Sequence, residues 1–256
     1  MVQRFKTQSN ERISLAEFCL RCDEKLKDNN LPLSSLAEDL AAVARNKKHL
    51  ASLICELLSE KLTSPNFSMR YSDQCQVLAR RPEYIGRMAA WDVPRVRGGS
   101  SRYDEDYLSY RFVHNHNFDL LTAGVYGPGY KSLNWHLDMP IQHFETDGSV
   151  NLIKLPDEVL EDGDVLFFKS WHNVHAQLPP TSFSMSLNLI IANPLVPQFS
   201  FDSARSVAIK QIGGIGSGLA GLLSIASAMN HSELDDLILN AHQELVKLTN
   251  RNLIFS

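Results

Sequence analysis

Along the first 64 residues apolar positions recur every three to four places, the period of a helix with one buried face. "SLAEFCLRCDEKL" opens with Ser14-x-x-Glu17, a pattern in which hydroxyl and carboxylate satisfy the unbonded N–H groups of a helix start. Ser35-x-x-Glu38 repeats it after the separator "NNLPL". The second segment, "LAEDLAAVARNKKHLASLICELLSEKL", reads as one long helix or two. The apolar stripe of this prelude is expected to pack on the rest of the chain.

From about Asp73 the texture changes. "QCQVLARR", "IGRMAAWDV", "LSYRFVHNH", "FDLLTAGVYG", "SVNLIKL", "DVLFFKSW" and "SMSLNLIIANP" are short and rich in β-branched and aromatic residues. The turn signals "GGS" at 98–100, "GPG" at 127–129 and "EDGD" at 161–164 punctuate them. Strands so closely spaced predict an antiparallel barrel or sandwich rather than βαβ units. From about Ser203 the chain is expected to turn helical again, with "SELDDLILNAHQELVKL" as a striped helix capped by Ser232. The chain thus divides into a helical segment over 1–69, a β domain over 70–197 and a helical segment over 198–256.

Composition narrows the function classes. A formal charge of −4 carries no basic excess for a nucleic acid. No apolar run reaches the roughly 18–20 residues that span a bilayer, and "MVQRFKTQSNERIS" has no apolar signal core, so a cytoplasmic protein is expected. The four cysteines fit a reduced compartment, and Cys19-x-x-Cys22 reads as plain helix because no second pair follows at zinc spacing. "GSGLAG", within the glycine-rich 213–221 stretch, spells G-x-G-x-x-G. It lacks the strand and the acidic residue that a dinucleotide site needs after it.

Chemistry concentrates in histidine. Six of nine histidines lie between 114 and 175: His114, His116, His136, His143, His172 and His175. On a strand, residues i and i+2 share a face, so His114 and His116 would present two imidazoles side by side, as neutral donors suited to Fe, Zn, Cu or Ni. The stretch "EDGDVLFFKSWHNVHA" then runs from an acidic turn through an apolar strand and a second turn to His175.

This combination resembles the cupin superfamily, whose first motif begins H-x-H and closes with a glycine, here Gly124, and whose second leads from G-D-x-x-x-F to a histidine. The resemblance covers residues 105–193. It implies a double-stranded β-helix, or jelly-roll barrel, flanked by the terminal helices, with His114, His116 and His175 as metal ligands. Two features depart from the pattern. The usual P-x-G before the second motif's histidine is Lys169-Ser170-Trp171, and the family's glutamate falls on Leu120 or Leu121. The resemblance therefore implies three histidines and no carboxylate, similar to the thiol-dioxygenase branch. Such a set leaves about three positions of an octahedral ion open for substrate and O2.

A rival arrangement reads His136-Leu137-Asp138 with His175 as the H-x-D…H triad of 2-oxoglutarate-dependent oxygenases. The Arg or Lys that would clamp the co-substrate is absent between Ala176 and Ser203. Around either site, Tyr126 and Tyr130 flank a rigid turn and are candidates to bond substrate or metal-bound oxygen. Asp119, His136, His172, Ser186 and Asn188 are candidates to line the pocket or orient a ligand. His143 reads as structural, and the helical His49, His231 and His242 as surface residues. No G-x-S-x-G motif and no cysteine near the histidines supports a hydrolase.

The expected function is non-haem oxidation of a small amino-acid-like or thiol-like molecule by O2 at Fe(II), with Ni, Mn and Zn as alternative ions. No nucleic-acid or membrane partner is expected, and a homodimer is an open option. A metal or ligand sensor on the same barrel, and a metal-dependent isomerase or lyase, are the competing readings.

Overall fold

The computed structural model describes residues 1–7, 9–28, 32–63, 74–94, 109–139, 148–192 and 198–213. Helix α1 (Leu15–Lys25) begins as its sequence predicts, with Ser14 Oγ accepting from Glu17 N at 3.1 Å. Helix α2 (Leu33–Arg45) starts two residues ahead of Ser35, behind Pro32, so Ser35 lies inside the first turn and is not a cap. The proline's fixed φ makes a ready helix entry and takes precedence over the downstream serine. Asn46 breaks the long segment. Its Oδ1 accepts from His49 N at 3.3 Å and opens α3 (Lys47–Thr63), while its Nδ2 reaches Ile13 O at 2.9 Å.

The first strand was not legible as one. β1 (Gln3–Phe5) pairs antiparallel with β7 (Val165–Phe168). Arg4 anchors it through Glu158, Asp164 and the Val159 carbonyl. The remaining strands are β2 (Cys75–Arg80), β3 (Tyr84–Trp91), β4 (Phe118–Tyr126), β5 (Tyr130–Leu137), β6 (Leu152–Leu160), β8 (Asn173–Leu178), β9 (Ser184–Ala192), β10 (Gln198–Asp202) and β11 (Val207–Gly213).

A six-stranded sheet runs β1-β7-β4-β9-β3-β2 and a three-stranded sheet β6-β5-β8. His114 extends the smaller sheet by bridging to His175 on β8 and to Ser200 on β10. Along the chain, β3, β4, β7 and β9 enter the large sheet, with the His114 segment, β5–β6 and β8 in the small sheet between them. That alternation is the strand order of a double-stranded β-helix, two sheets closing on one interior.

Over its described part, 109–116, the strand expected for 108–116 does not form. Ser109 and Arg111 take positive φ, and only His114 bridges. Isolated backbone bonds to β8, β10 and the turn at Trp171, with the Asn115 side chain, hold the segment in place of a regular ladder. The helix expected from Ser203 is likewise overturned as far as Gly213, where β10 and β11 make a hairpin. Ala208 of β11 and Phe199 and Phe201 of β10 enter one core. The glycine-rich stretch beyond Gly213, the Ser232 helix, the "GGS" turn and His143 lie outside the described residues.

Three apolar layers result. The α1–α2 faces, including Phe18, Cys22, Leu36 and Leu40, pack on the outer side of the large sheet through Leu121, Val165, Leu187 and Leu189. Cys19 and Cys22 are core residues here, and burial pushes the Cys22 thiol pKa up. The inner face carries Trp91, Phe118, Leu120, Tyr130, Leu166 and Phe168. The outer side of the small sheet buries Trp135, Leu137, Trp171 and Val174 against Phe199 and Phe201. Gly124 lets β4 pass the 161–164 turn, since a Cβ there would stand 1.9 Å from Glu161 O.

Candidate metal centre

His114, His116 and His175 converge at the interior side of the small sheet. Their ring centroids form a triangle with every side 4.8 Å. Among the described residues this is the group of His, Cys, Asp or Glu able to share one ion, its ligand atoms all within 4.8 Å of one another.

Backbone pairing puts the rings there. His114 N donates to His175 O at 3.0 Å, and His175 N returns a bond to His114 O at 2.8 Å. Trp171 N donates to His116 O at 2.9 Å, tying the turn before β8 to the second histidine. Asn115, wholly buried between the two histidines, bonds to the neighbouring backbone instead of joining the cluster. Its Nδ2 donates to Trp171 O (3.1 Å) and its Oδ1 accepts from Phe199 N (2.7 Å). H-x-H thus shares a face without a regular strand, because the middle side chain is pinned elsewhere.

Burial sets the charge state. Desolvation, with Arg87 adding repulsion, lowers the His114 pKa to about 4. Desolvation first, and the neighbouring charges next, hold His116 and His175 well below their ordinary value. At neutral pH all three are neutral imidazoles, the form that offers a lone pair. His114 Nδ1 stands 2.8 Å from Phe112 O and can only donate there, which leaves Nε2 as the donor atom toward a metal. Buried Nδ1 atoms of His116 and His175 have no hydrogen-bond partner. An unsatisfied buried polar atom costs about 1–3 kcal/mol, and a coordinated cation would remove that cost. The donor set fits a divalent ion of the Fe or Zn kind.

A cavity of about 240 Å³ opens beside the cluster, lined by His114 and His116 together with Arg87, Leu120, Tyr130 and Asn188 among others. Leu120, on the inner face of β4, presents an apolar chain where the resemblance led one to look for a carboxylate. Tyr130 is buried with its ring 4.1 Å from Trp91, and desolvation pushes its pKa up to about 12. Ser186 and Asn188 do face the interior: Trp91 Nε1 donates to Ser186 Oγ (2.9 Å), and Asn188 Oδ1 accepts from Thr122 Oγ1 (2.7 Å).

Other expectations need correcting. Tyr126 is 57% exposed at the end of β4, near Phe183, and does not line the cavity; the "GPG" turn carries it outside. Asp119 is buried but faces away from the rings. It accepts from Ser170 N at 2.8 Å and pairs with Lys169, so it braces the turn that replaces P-x-G. His136 and His172 stack on each other at 5.4 Å, apart from the triangle, and His172 is exposed. The H-x-D alternative fails because Asp138 is exposed and accepts from Asn151 Nδ2 at 3.3 Å, outside the histidine cluster.

Sequence reading missed Arg87, Asn115, Thr122 and Gln177, the last with its amide 3.2 Å from His175 Nε2. Period-two alternation in "YIGRMAAW" puts Arg87 on the face of Ala89 and Trp91, and that signal was available.

No family model matches the sequence, and no curated protein matches it. Among solved structures, the chain is similar to the DMSP lyase DddQ from Ruegeria pomeroyi at 12% identity, with 58% of this chain and 66% of that one covered and a TM-score of 0.33. A salicylate 1,2-dioxygenase from Pseudaminobacter salicylatoxidans aligns at 8% identity over 56% and 33% of the two chains, TM-score 0.29. A protein with a double-stranded β-helix domain from Klebsiella pneumoniae aligns at 12% over 55% and 99%, TM-score 0.29. The chain spans 46% of another matched DMSP lyase and 66% of DddQ, less than two thirds of each. Strand order decides the fold.

The chain has the cupin fold.

Within a cupin barrel the cluster's surroundings gain meaning. Arg87, the Tyr130 phenol and the amides of Gln74, Gln177, Asn188 and Gln198 line a small space with the neutral imidazoles of His114 and His116. Among the described residues no helix is long and apolar enough to cross a membrane.

Proposed function

We propose that this cupin is a metal-dependent oxygenase that holds Fe(II) on His114, His116 and His175 and oxidises a small anionic organic molecule with O2. The observation that carries the reading is the triangle of buried neutral imidazoles, two with unpartnered ring nitrogens, beside a cavity walled by Leu120 in place of a carboxylate. Bound iron would supply the one-electron chemistry through which O2 reacts with closed-shell molecules.

The chain's own residues do the rest. Arg87, the cation of the cavity wall, binds an anionic group of the substrate, such as a carboxylate. Phe118, Leu120 and Trp91 exclude water and keep that attraction strong. Tyr130, kept protonated by burial, bonds the substrate through its hydroxyl.

The test is metal analysis of purified protein, followed by oxygen uptake by the Fe(II)-loaded form with a panel of amino-acid and thiol carboxylates. Uptake that depends on iron and one class of acid supports the reading. A metal-loaded protein that turns over an acid without consuming O2 replaces it with a lyase or isomerase, and one that binds but never turns over replaces it with a sensor. A cytoplasmic location and a homodimer belong to the same proposal.

A further inference from the structure

Asn188 is held in one hydrogen-bonding polarity. Trp91 Nε1–H can only donate, and it donates to Ser186 Oγ at 2.9 Å. Ser186 is buried, and its own proton goes to Asn188 Oδ1 at 3.3 Å. Turning the Asn188 carboxamide over would set an N–H against a hydroxyl that already receives one. The buried Ser186 proton would then lose this acceptor, which costs free energy. Asn188 Oδ1 also accepts from Thr122 Oγ1 at 2.7 Å. With its oxygen engaged by two hydroxyls, Asn188 has the N–H groups of Nδ2 left to offer, and among the described residues no acceptor takes them.

Strand pairing sets these donors beside the cation of the cavity. β9 lies between β3 and β4, and Arg87 on β3 stands directly opposite Asn188. Opposite residues of an antiparallel pair share a face, with Cβ atoms about 4.5–5.5 Å apart. Both side chains line the cavity that reaches His114 and His116. Guanidinium and carboxamide are thus neighbouring donors. A carboxylate meets both with acceptor oxygens, whereas a primary carboxamide sets its own N–H groups against one of them.

We propose that Asn188, locked as a donor by Ser186 and Trp91, forms with Arg87 a two-donor clamp that takes a carboxylate and rejects the matching carboxamide. Asn188 touches the bound group, and Ser186 is a positioning residue that acts through it. The inference rests on the site proposed above and narrows its substrate class to molecules whose anionic end offers two free oxygens.

Benzoate and benzamide are suitable probes, alike in shape and suited to the aromatic walls of Trp91 and Phe118. Calorimetric titration of the protein as purified is expected to show benzoate binding at least about tenfold more tightly, the effect of one charge-assisted bond. Asn188→Leu should weaken benzoate by about tenfold. The double variant Trp91→Phe with Ser186→Ala removes both partners of one bond and the lock with them. Thr122 remains, and a hydroxyl can bond either end of the carboxamide. Asn188 is then free to turn its oxygen to the cavity, so benzamide should bind about tenfold more tightly than in the wild type while benzoate weakens. Simple damage to the site would lower both affinities. Equal binding of the two probes by wild type, binding of neither, or an unchanged ratio in the double variant overturns the proposal.

Amide NMR of the wild type gives a readout that needs no variant to fold. The side-chain N–H signals of Asn188 should shift on addition of benzoate and stay in place with benzamide at the same concentration. Repeating the titration after chelation of metal separates the clamp from the metal reading. A protein that takes up no iron but shows this selectivity loses the oxygenase reading and keeps the clamp. One that holds iron while the Asn188 signals ignore benzoate loses the clamp.

Discussion

His114 and His175, sixty-one residues apart in the chain, exchange both backbone hydrogen bonds as an antiparallel pair, at 3.0 and 2.8 Å. The proposed ligands from the two ends of the barrel sequence are therefore fixed to one another by main chain, and their rings inherit that spacing. Metal uptake is expected to depend on this pair rather than on the acidic alternative. His116→Ala or His175→Ala should abolish stoichiometric binding of added Fe(II) or Zn(II), measured by elemental analysis after desalting. Asp138→Ala should bind like the wild type.

Asn115 ties the H-x-H segment to the turn at Trp171 and to β10. Asn115→Ala leaves the buried Trp171 carbonyl and Phe199 N–H without these partners. Such a loss costs about 1–3 kcal/mol, to be read from urea unfolding of metal-free protein. Metal affinity should fall with it, although the residue offers nothing to the metal itself.

The depressed histidine pKa values give stability a direction with pH. Each imidazole is neutral in the folded protein and takes a proton more readily when unfolded, near the ordinary value of 6.5. The unfolded state thus binds more protons below that value, and stability falls as pH drops. For His114 the window runs from 6.5 down to about 4. Within it each such group removes about 1.4 kcal/mol per pH unit. Metal-free protein should lose stability through that range, and His114→Gln should lose less. Acidification should also release the metal, since protons compete for the same lone pairs.

Arg87 is expected to act on substrate and not on metal. Arg87→Met should leave iron content unchanged and raise the KM for a carboxylate substrate by about ten- to a hundredfold, the range of a lost charge-assisted bond of about 1.5–3 kcal/mol. Equal KM values with and without the guanidinium would remove Arg87 from recognition.

The helical layer holds the large sheet in place by apolar contact. Leu40, wholly buried on α2 within the core that includes Leu121 and Leu189, should cost about 2–5 kcal/mol when truncated in Leu40→Ala. Denaturant unfolding measures this, and metal stoichiometry at full folding should not change.

Much of the architecture was legible because its signals are local. Period 3.6 marked α1 and the buried stripe of α2, and period two marked most strands. Alternation placed Ser186 and Asn188 on one common face, and the structure turns that face to the interior. Expectations failed where the deciding contact is remote. β1 is only three residues long and exists because β7 offers an edge. The 198–213 hairpin depends on the small sheet beside it, and Tyr126 leaves the site because of how the turn at Gly127 is directed.

The residue types and spacing of the chain were sufficient to determine a β core with a helical prelude and to pair His114 with His116, since side-chain period and imidazole chemistry are properties of the chain itself; the motif resemblance added His175. Only tertiary structure decided that these three rings meet, that Asp138 and Tyr126 stand apart, and that Arg87, Thr122 and Asn115 belong with them. Convergence across sixty residues is a property of strand pairing and burial, and no local pattern encodes which neighbour a strand will find.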